Sequence, residues 1–302
     1  MKPTTHSFYA DAVQGVIEHV ASHLDEALEL DTMAAQACLS RFHFHRVFRG
    51  MVGETPMELV RRLRLERAAW RLLHTDRPVT AIAFDAGYET HEAFTRAFRD
   101  CYAKPPSEFR LNARARIELA APCGVHFRAD GRTPHFIPRD SGGRTMQVKI
   151  ERYPELRVGT VRHIGPYIQI NEAFARLGEL VAPAHLFEQP GAMMIALFHD
   201  DPDSVSADQL RSDAAVTVAP HATLPDGLTE QTIPEGEYAS TMHVGPYEQL
   251  GDAWARFMGE WLPASGRRMN GGVSYEVYLN TPMDTPPEKL RTEIRIPLAS
   301  GT

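Results

Sequence analysis

Apolar residues recur with a helical period in two segments that lie fifty positions apart. Each segment has an apolar stripe at i, i+3, i+4 and i+7, formed by Phe44, Val47, Phe48 and Met51 in the first and by Phe94, Ala97, Phe98 and Cys101 in the second. This spacing predicts two amphipathic helices. Ser40 and Thr90, whose hydroxyls suit an N-cap, precede the two stripes and set where the helices begin.

A short predicted helix comes before each of these two helices. The first opens at a capping aspartate, Asp31, and runs through Ala37, and the second covers residues 79–86. A further helix is predicted over residues 8–24. Helix, tight turn and helix is the arrangement that sets a second helix into a groove of DNA. The pattern therefore predicts an all-α N-terminal domain over residues 1–112 with two helix-turn-helix units.

A long helix joins the two predicted units. It begins at Thr55, where Pro56 at N1 and Glu58 at N3 complete a capping box, and continues to His74. At about 1.5 Å per residue it spans somewhat under 30 Å. Successive major-groove faces lie about 34 Å apart, so one chain can reach two adjacent grooves. The arginines of this helix are interpreted either as DNA contacts or as partners of Glu58 and Glu66.

The second half of the chain contains its own duplication, at an offset of eighty residues. His163, Gly165, Pro166 and Tyr167 return as His243, Gly245, Pro246 and Tyr247. Each copy predicts a strand, a Gly-Pro turn, a helix and two more strands. The fold class is therefore multidomain, with an α+β C-terminal domain over residues 147–302 made of two pseudo-twofold repeats. Residues 113–146, rich in proline and glycine, are predicted to be a linker.

The charge is distributed unevenly between the two halves. Residues 1–116 hold 16 basic and 15 acidic side chains, net +1, and the remainder holds 16 and 24, net -8, within a total of -7 over 302 residues. The three cysteines, Cys38, Cys101 and Cys123, lack metal-site spacing and are expected to be small core residues in a reducing compartment. We expect a cytoplasmic protein with no cofactor, no metal site and no membrane segment.

The N-terminal half resembles the AraC/XylS-type transcription regulators, in a signature that covers residues 8–112. The matching positions are Ala83, Gly87, Tyr88, Phe94, Arg96, Phe98, Arg99, Pro106, Phe109 and Arg110. Ala103 and Pro105 stand where the family has glycine and serine or threonine. The resemblance implies a DNA-binding regulator, an activator that also contacts RNA polymerase.

The resemblance also implies which side chains contact double-stranded DNA in two successive major grooves. They are Ser40, Arg41, Phe42, His45, Arg46 and Arg49 in the first unit and Thr90, His91, Glu92, Thr95, Arg96 and Arg99 in the second. Arginine suits guanine O6 and N7. Arg49 and Arg99 are assigned to phosphate, while Glu92 either accepts from cytosine, repels wrong bases or serves as a helix-start charge.

The C-terminal half resembles the GyrI-like effector-binding domain. The cues are the two His-x-Gly-Pro-Tyr turns, the strand over residues 274–279 and the closing strand over residues 293–297. Symmetry is broken at Glu276, whose counterpart eighty positions earlier is Ala196. The resemblance implies that Glu276, Tyr278, Trp254 and Phe198 contact a small-molecule effector that is cationic and amphipathic.

Other interpretations of the second half are compatible with its residues. Glu276 and Tyr278 can act as acid and base in a hydrolase. Glu276 can also be an exposed strand residue that pairs with Arg291 or Arg295. A third interpretation is that the domain binds a protein through an exposed apolar patch, as a gyrase-inhibitor-like module.

Overall fold

A computed structural model of the chain describes residues 5–112, 114–132, 134–138, 146–200 and 205–299; the side chains of residues 5–7 and of Phe42 lie outside this description. The chain divides into two compact units, Ser7–Asp140 and Ser141–Thr302. The first is helical and the second is built on one sheet. Among the described helices, none is both long and apolar enough to cross a bilayer.

Seven helices make up the described part of the first unit. They are α1 (Thr5–Ser22), α2 (Leu30–Gln36), α3 (Arg41–Val52), α4 (Pro56–His74), α5 (Val79–Asp85), α6 (His91–Tyr102) and α7 (Pro106–Arg110). α2 with α3, and α5 with α6, form the two helix-turn-helix units, and α4 joins them. The apolar stripes of α3 and α6 lie in the core: Phe44, Phe48, Phe94 and Phe98 are all fully buried.

Local capping explains where α3, α4 and α6 begin. The hydroxyls of Ser40 and Thr90 accept hydrogen bonds from backbone N–H groups three residues on, at 3.4 and 3.1 Å. Thr55 and Glu58 form the predicted reciprocal capping box. The prediction that Asp31 caps α2 is wrong, because α2 already begins at Leu30 and Asp31 lies in its first turn.

The cysteines lie in different surroundings. Cys123 is buried as expected, whereas Cys38 and Cys101 are exposed. Cys38 occupies the turn between α2 and α3 with φ of 56°, and Cys101 lies at the end of the α6 stripe, beyond the buried Phe94 and Phe98. The expectation of three core cysteines therefore holds for one of them.

The segment after α7 packs against the helices of the first unit. We call residues 114–138 the strap; its described residues form no helix or strand. Cys123 and Val125 of the strap are fully buried. The first compact unit extends to Asp140 and thus includes most of the segment predicted to be a linker.

The described residues of the second unit form an eight-stranded antiparallel sheet with two helices on one of its faces. Its strands are β1 (Val148–Tyr153), β2 (Leu156–Ile164), β3 (Met194–Phe198), β4 (Arg211–Thr217), β5 (Thr229–Ile233), β6 (Gly236–Val244), β7 (Tyr275–Tyr278) and β8 (Arg291–Pro297). The helices α8 (Asn171–Val181) and α9 (Leu250–Arg256) follow β2 and β6, and α9 continues through a π-helical turn, Phe257–Trp261.

The order of the strands makes the internal symmetry visible. The sheet runs β1-β6-β8-β7-β3-β4-β2-β5, and a shift of eighty residues converts each strand into its mate across the middle. β1 pairs with β6 and β5 pairs with β2, so each repeat lends its first strand to the other repeat. The sequence pattern missed β1 and β5, and their exchange joins the repeats into one sheet.

The pseudo-twofold axis passes between β3 and β7. In this pair Ala196 lies directly opposite Glu276, and the two positions are eighty residues apart. A residue that pairs with its own repeat counterpart lies on the axis. Glu276 therefore stands at the centre of the sheet, on the face opposite Tyr275 and Val277.

Candidate functional site

The outward face of α6 presents the residues that the sequence predicted. Glu92, Arg96 and Arg99 are exposed, and His91 and Thr95 are half-buried. Thr95 Oγ1 and His91 Nε2 lie 3.5 Å apart, which holds two of the predicted side chains next to each other. Thr90 is exposed but its hydroxyl already serves as the cap of the helix. This face combines two positive charges with one negative charge.

The face of α3 differs from its counterpart. Arg49 is exposed and Arg46 is half-buried, but His45 is only 2% exposed, although the helical spacing predicted an outward position. His43, Phe44 and His45 are buried in succession, so burial covers about 200° of the helix at about 100° per residue. The buried arc is wider than the apolar stripe, and the pattern therefore placed His45 on the wrong side.

The remaining predicted residues of the first unit are at the start of α3. The Arg41 guanidinium lies 3.3 Å from the Asp31 carboxylate, a contact between two partly exposed side chains. Ser40 is exposed and caps the helix. The predicted contribution of the Phe42 side chain falls outside the described residues.

Most arginines of α4 turn inward to join helices; Arg62 pairs with the predicted Glu66, whereas Arg64 and Arg67 contact the loop after α1. Arg64 donates to the carbonyl oxygens of Leu24 and Glu26 at 3.0 and 2.6 Å. Arg67 is 6% exposed and forms an ion pair with Asp25 at 2.8 Å. Burial lowers the pKa of both guanidinium groups. These side chains are structural rather than DNA contacts.

In the second unit, Glu276 is 2% exposed and accepts two short hydrogen bonds. Trp254 Nε1 of α9 donates to Oε1 at 2.6 Å, and the Tyr278 hydroxyl donates to Oε2 at 2.8 Å. The interpretation of Glu276 as an exposed strand residue is wrong, because its position on the pseudo-twofold axis buries it beneath the helices. Trp254 reaches it because α9 packs on that face of the sheet.

Aromatic residues recur in three pairs at the repeat offset of eighty, and two of them, Trp254 and Tyr278, contact this carboxylate. We call the three pairs the aromatic set, and they are Tyr167 and Tyr247, Phe174 and Trp254, and Phe198 and Tyr278. Ring centroids lie 5.4 Å apart for Phe174 and Tyr278, 5.3 Å for Tyr247 and Tyr278 and 4.8 Å for Tyr167 and Phe198.

Sequence reasoning missed three members of this set. The predicted effector contacts do not include Tyr167, Tyr247 or Phe174. The available signal was that aromatic character is kept at all three repeat positions, as Tyr and Tyr, Phe and Trp, and Phe and Tyr. An alignment of the two repeats therefore finds the whole set.

The carboxylate affects the acidity of the two nearest phenols. Burial raises the pKa of the Tyr278 hydroxyl well above 10, and the negative charge of Glu276 and its hydrogen bond act in the same direction. Burial, followed by the same charge, raises the pKa of Tyr247. Both phenols therefore remain neutral donors near Glu276. A single negative charge among ring faces is the chemistry that favours an organic cation.

Comparisons with known proteins match the two units separately. Residues 146–299 match the model of a GyrI-like small molecule binding domain, and residues 33–112 match the model of a helix-turn-helix domain.

Three relatives illustrate the range of these matches. The regulatory protein SoxS of Salmonella typhimurium is 36% identical, over 32% of this chain and 92% of its own length. A DNA gyrase inhibitor of Serratia proteamaculans is 38% identical, over 45% of this chain and 88% of its own. The HTH-type transcriptional regulator YbfP of Bacillus subtilis is 39% identical, over 34% of this chain, and the match spans only 35% of that relative.

Proposed function

The chain belongs to the family of GyrI-like small molecule binding domains and joins that domain to an AraC-type helix-turn-helix unit, as a transcription regulator. From this premise we propose that it binds two successive major grooves with α3 and α6. We propose further that it binds a cationic, amphipathic effector at Glu276 and activates transcription together with RNA polymerase. The buried carboxylate on the axis of the aromatic set carries the effector half of this proposal.

The matched geometry of α3 and α6 supports the DNA-binding half. Both helices have twelve residues, both have a hydroxyl N-cap and both end in a left-handed residue. α4 separates them with 19 residues, about 28 Å at the α-helical rise. Arg46 and Arg96 are the proposed base contacts, and Arg49 and Arg99 the proposed phosphate contacts. His45 is left out of this set because it is buried.

The effector site works by exchange of partners. In the structure, Trp254 and Tyr278 satisfy the Glu276 carboxylate, so its burial is compensated. A cation that enters between the rings replaces these neutral donors with a full positive charge and gains contacts with the ring faces. An uncharged ligand of the same shape gains the apolar contacts only. The site therefore favours cations over neutral isosteres.

The titration that tests this uses tetraphenylphosphonium and the neutral triphenylphosphine oxide, followed by tryptophan fluorescence of the full chain. We expect the cation to bind at least about tenfold more tightly to the natural protein, which corresponds to about 1.4 kcal/mol. Glu276→Gln keeps the shape and removes the charge, so we expect it to abolish this preference. Glu248→Gln is the matched control, because Glu248 is exposed in the same repeat.

Two outcomes contradict the effector assignment. One is equal affinity for the cation and the neutral compound in the natural protein. The other is a cation preference that survives Glu276→Gln. Loss of the preference in Glu248→Gln as well assigns it to general surface charge.

We propose binding without turnover. A general acid works best when its pKa is near the working pH, and the pKa of Tyr278 is raised well away from neutrality. The hydrolase alternative is tested with an activated ester such as p-nitrophenyl acetate. Ester cleavage that Glu276→Gln eliminates overturns the non-enzymatic proposal.

A further inference from the structure

The strap is anchored at one end on α6 of the second helix-turn-helix unit and at the other end on α1, the helix that precedes the first helix-turn-helix unit. At its beginning, the Tyr102 hydroxyl of α6 donates to the carbonyl of Ile117 at 2.6 Å. At its end, the Gln14 side chain of α1 donates to the carbonyl of Pro134 at 2.8 Å and accepts from the N–H of Phe136 at 3.2 Å. The strap thus starts at α6, crosses α4 and ends at α1.

Glu66 of α4 fastens the middle of the strap. This carboxylate is fully buried, and it accepts from the backbone N–H groups of Leu119 and Phe127 at 2.9 and 2.8 Å. His126 Nδ1 lies 3.0 Å from it and Arg62 donates to it at 3.3 Å. Backbone donors eight residues apart converge on one carboxylate, so Glu66 closes a loop of the strap onto the helix.

A second contact lies one turn earlier on α4. The Arg62 guanidinium donates to both carboxylate oxygens of Glu54 at 3.0 and 2.5 Å, and to the carbonyl of Val125 at 2.7 Å. Glu54 lies in the short loop between α3 and α4. Bidentate pairs of this type fix orientation as well as distance. The strap is therefore held at two adjacent turns of the connecting helix.

Arginines on the other side of α4 connect this helix to the loop after α1 and to the end of α5. Arg67 pairs with Asp25, in the turn after α1, and donates to the carbonyl of Asp85, at the end of α5, at 2.7 Å. Arg71 lies 2.5 Å from the Asp85 carboxylate and 3.8 Å from that of Asp25. One face of α4 thus holds the loop after α1 and the end of α5. The strap contacts the opposite face of this helix.

From these contacts we infer that Glu66 is a positioning residue which, through the strap, sets the spacing of operator half-sites that the protein accepts. This rests on the proposed binding of two major grooves. With the strap in place the two helix-turn-helix units move as one body, and half-sites must lie one helical turn of DNA apart, about 10 base pairs. With the strap loosened, each unit still reads its own half-site but the distance between them varies.

Glu66→Gln tests this in the full chain. Glutamine keeps the shape but has one acceptor oxygen, so one of the two backbone N–H groups loses its partner. Glu118→Gln is the matched control, because it removes the same charge from an exposed position of the strap. The DNA is an operator selected from random duplexes, prepared with its natural spacing, with 2 or 5 base pairs inserted, and as a single half-site.

For the natural protein and Glu118→Gln, we expect an insertion of 2 base pairs to weaken binding at least about tenfold, because it rotates the half-sites relative to each other. For Glu66→Gln, we expect a loss under about threefold on the same insertion, with unchanged affinity for the single half-site. The inference is overturned if folded Glu66→Gln loses as much affinity on insertion of 2 base pairs as the natural protein does. An equal loss on the single half-site also overturns it, since that indicates a general structural defect.

If Glu66→Gln does not fold, Tyr102→Phe decides. It removes only the hydroxyl that anchors the beginning of the strap, and we expect the same shift in the spacing profile with a smaller size. An unchanged profile in Tyr102→Phe overturns the inference. Failure of the proposed function looks different, because then the natural protein selects no operator from the random duplexes.

Discussion

At the scale of single residues, burial limits Glu276 and Glu66 to a few defined partners. Glu276 and Ala196 occupy equivalent positions on the axis of the sheet. The aromatic set repeats on both sides of this axis, and the carboxylate of Glu276 makes the two sides different. Glu66 is also fully buried, yet its partners are backbone N–H groups of the strap and not aromatic donors. The same residue type is thus the proposed ligand contact in one compact unit and a structural joint in the other.

His43 of α3 is a residue whose burial has a measurable pH effect. It is 7% exposed and packs edge-on against Tyr9 with ring centroids 5.5 Å apart, and burial lowers its pKa from 6.5 to about 4. In the unfolded chain the His43 imidazole takes up a proton near pH 6.5, whereas in the folded chain it does so only near pH 4. Stability from the neutral form is complete above pH 6.5 and is lost as the pH falls toward 4.

We expect the unfolding free energy of the first unit to drop by about 2 kcal/mol between pH 7 and pH 5 because of His43, at about 1.4 kcal/mol per pH unit below 6.5. Urea unfolding followed by Trp70, with Trp254 and Trp261 replaced by Phe, measures it. His43→Phe keeps an aromatic ring against Tyr9 and is expected to remove this part of the pH dependence. An identical pH dependence in His43→Phe contradicts the assignment.

At the scale of elements, α3 and α6 have the same length and the same type of N-cap but differ in the residue at which they end. α3 ends at Gly53 with φ of 84° and α6 ends at Ala103 with φ of 58°. In both, the N–H of this residue donates to an arginine carbonyl at 2.8 Å. The left-handed conformation is unfavourable for alanine because of its Cβ, whereas glycine adopts it freely. The departure of Ala103 from the family pattern therefore stores strain.

We expect Ala103→Gly to stabilise the first unit by about 0.5 to 1 kcal/mol, since it relieves the left-handed conformation. Gly53→Ala is the matched reverse change in α3 and is expected to destabilise by about 1 kcal/mol. The same urea unfolding measures both. Destabilisation by Ala103→Gly indicates that position 103 does not adopt the left-handed conformation in solution.

At the scale of the whole molecule, regulation requires an equilibrium coupling between the effector site and the DNA surface. An effector changes DNA affinity only if it binds the two functional states with different affinity. Thermodynamic linkage then requires DNA to change effector affinity by the same factor. The strap is relevant here because it belongs to the first unit and leads along the chain to the second.

We expect tetraphenylphosphonium to change the dissociation constant of the selected operator by about 5-fold or more, and the operator to change the affinity for the cation by an equal factor. Fluorescence titrations in both orders measure the two factors. Glu276→Gln is expected to abolish both effects and leave operator binding intact. Unequal factors, or an effect that persists in Glu276→Gln, show that the cation acts elsewhere.

Features set by near neighbours could be predicted from the sequence. The Thr55 capping box, the caps at Ser40 and Thr90 and the end of α4 at His74 depend on residues within a turn, and all match the structure. The repeat of eighty residues was likewise visible, because duplicated segments keep their register. It pointed to Glu276 as the place where symmetry is broken, and two units with different chemistry followed from the two duplications.

Only the tertiary structure decided what depends on distant partners. β1 and β5 join the sheet through strands of the opposite repeat, so no local pattern marks their place. His45 is buried although its helical spacing predicts an exposed position. The strap has no periodic pattern of apolar residues, and its backbone N–H groups are held by Glu66, a residue far away in the chain. Periodicity and capping reflect local hydrogen bonds, whereas burial and strand exchange arise from contacts between residues far apart in the chain.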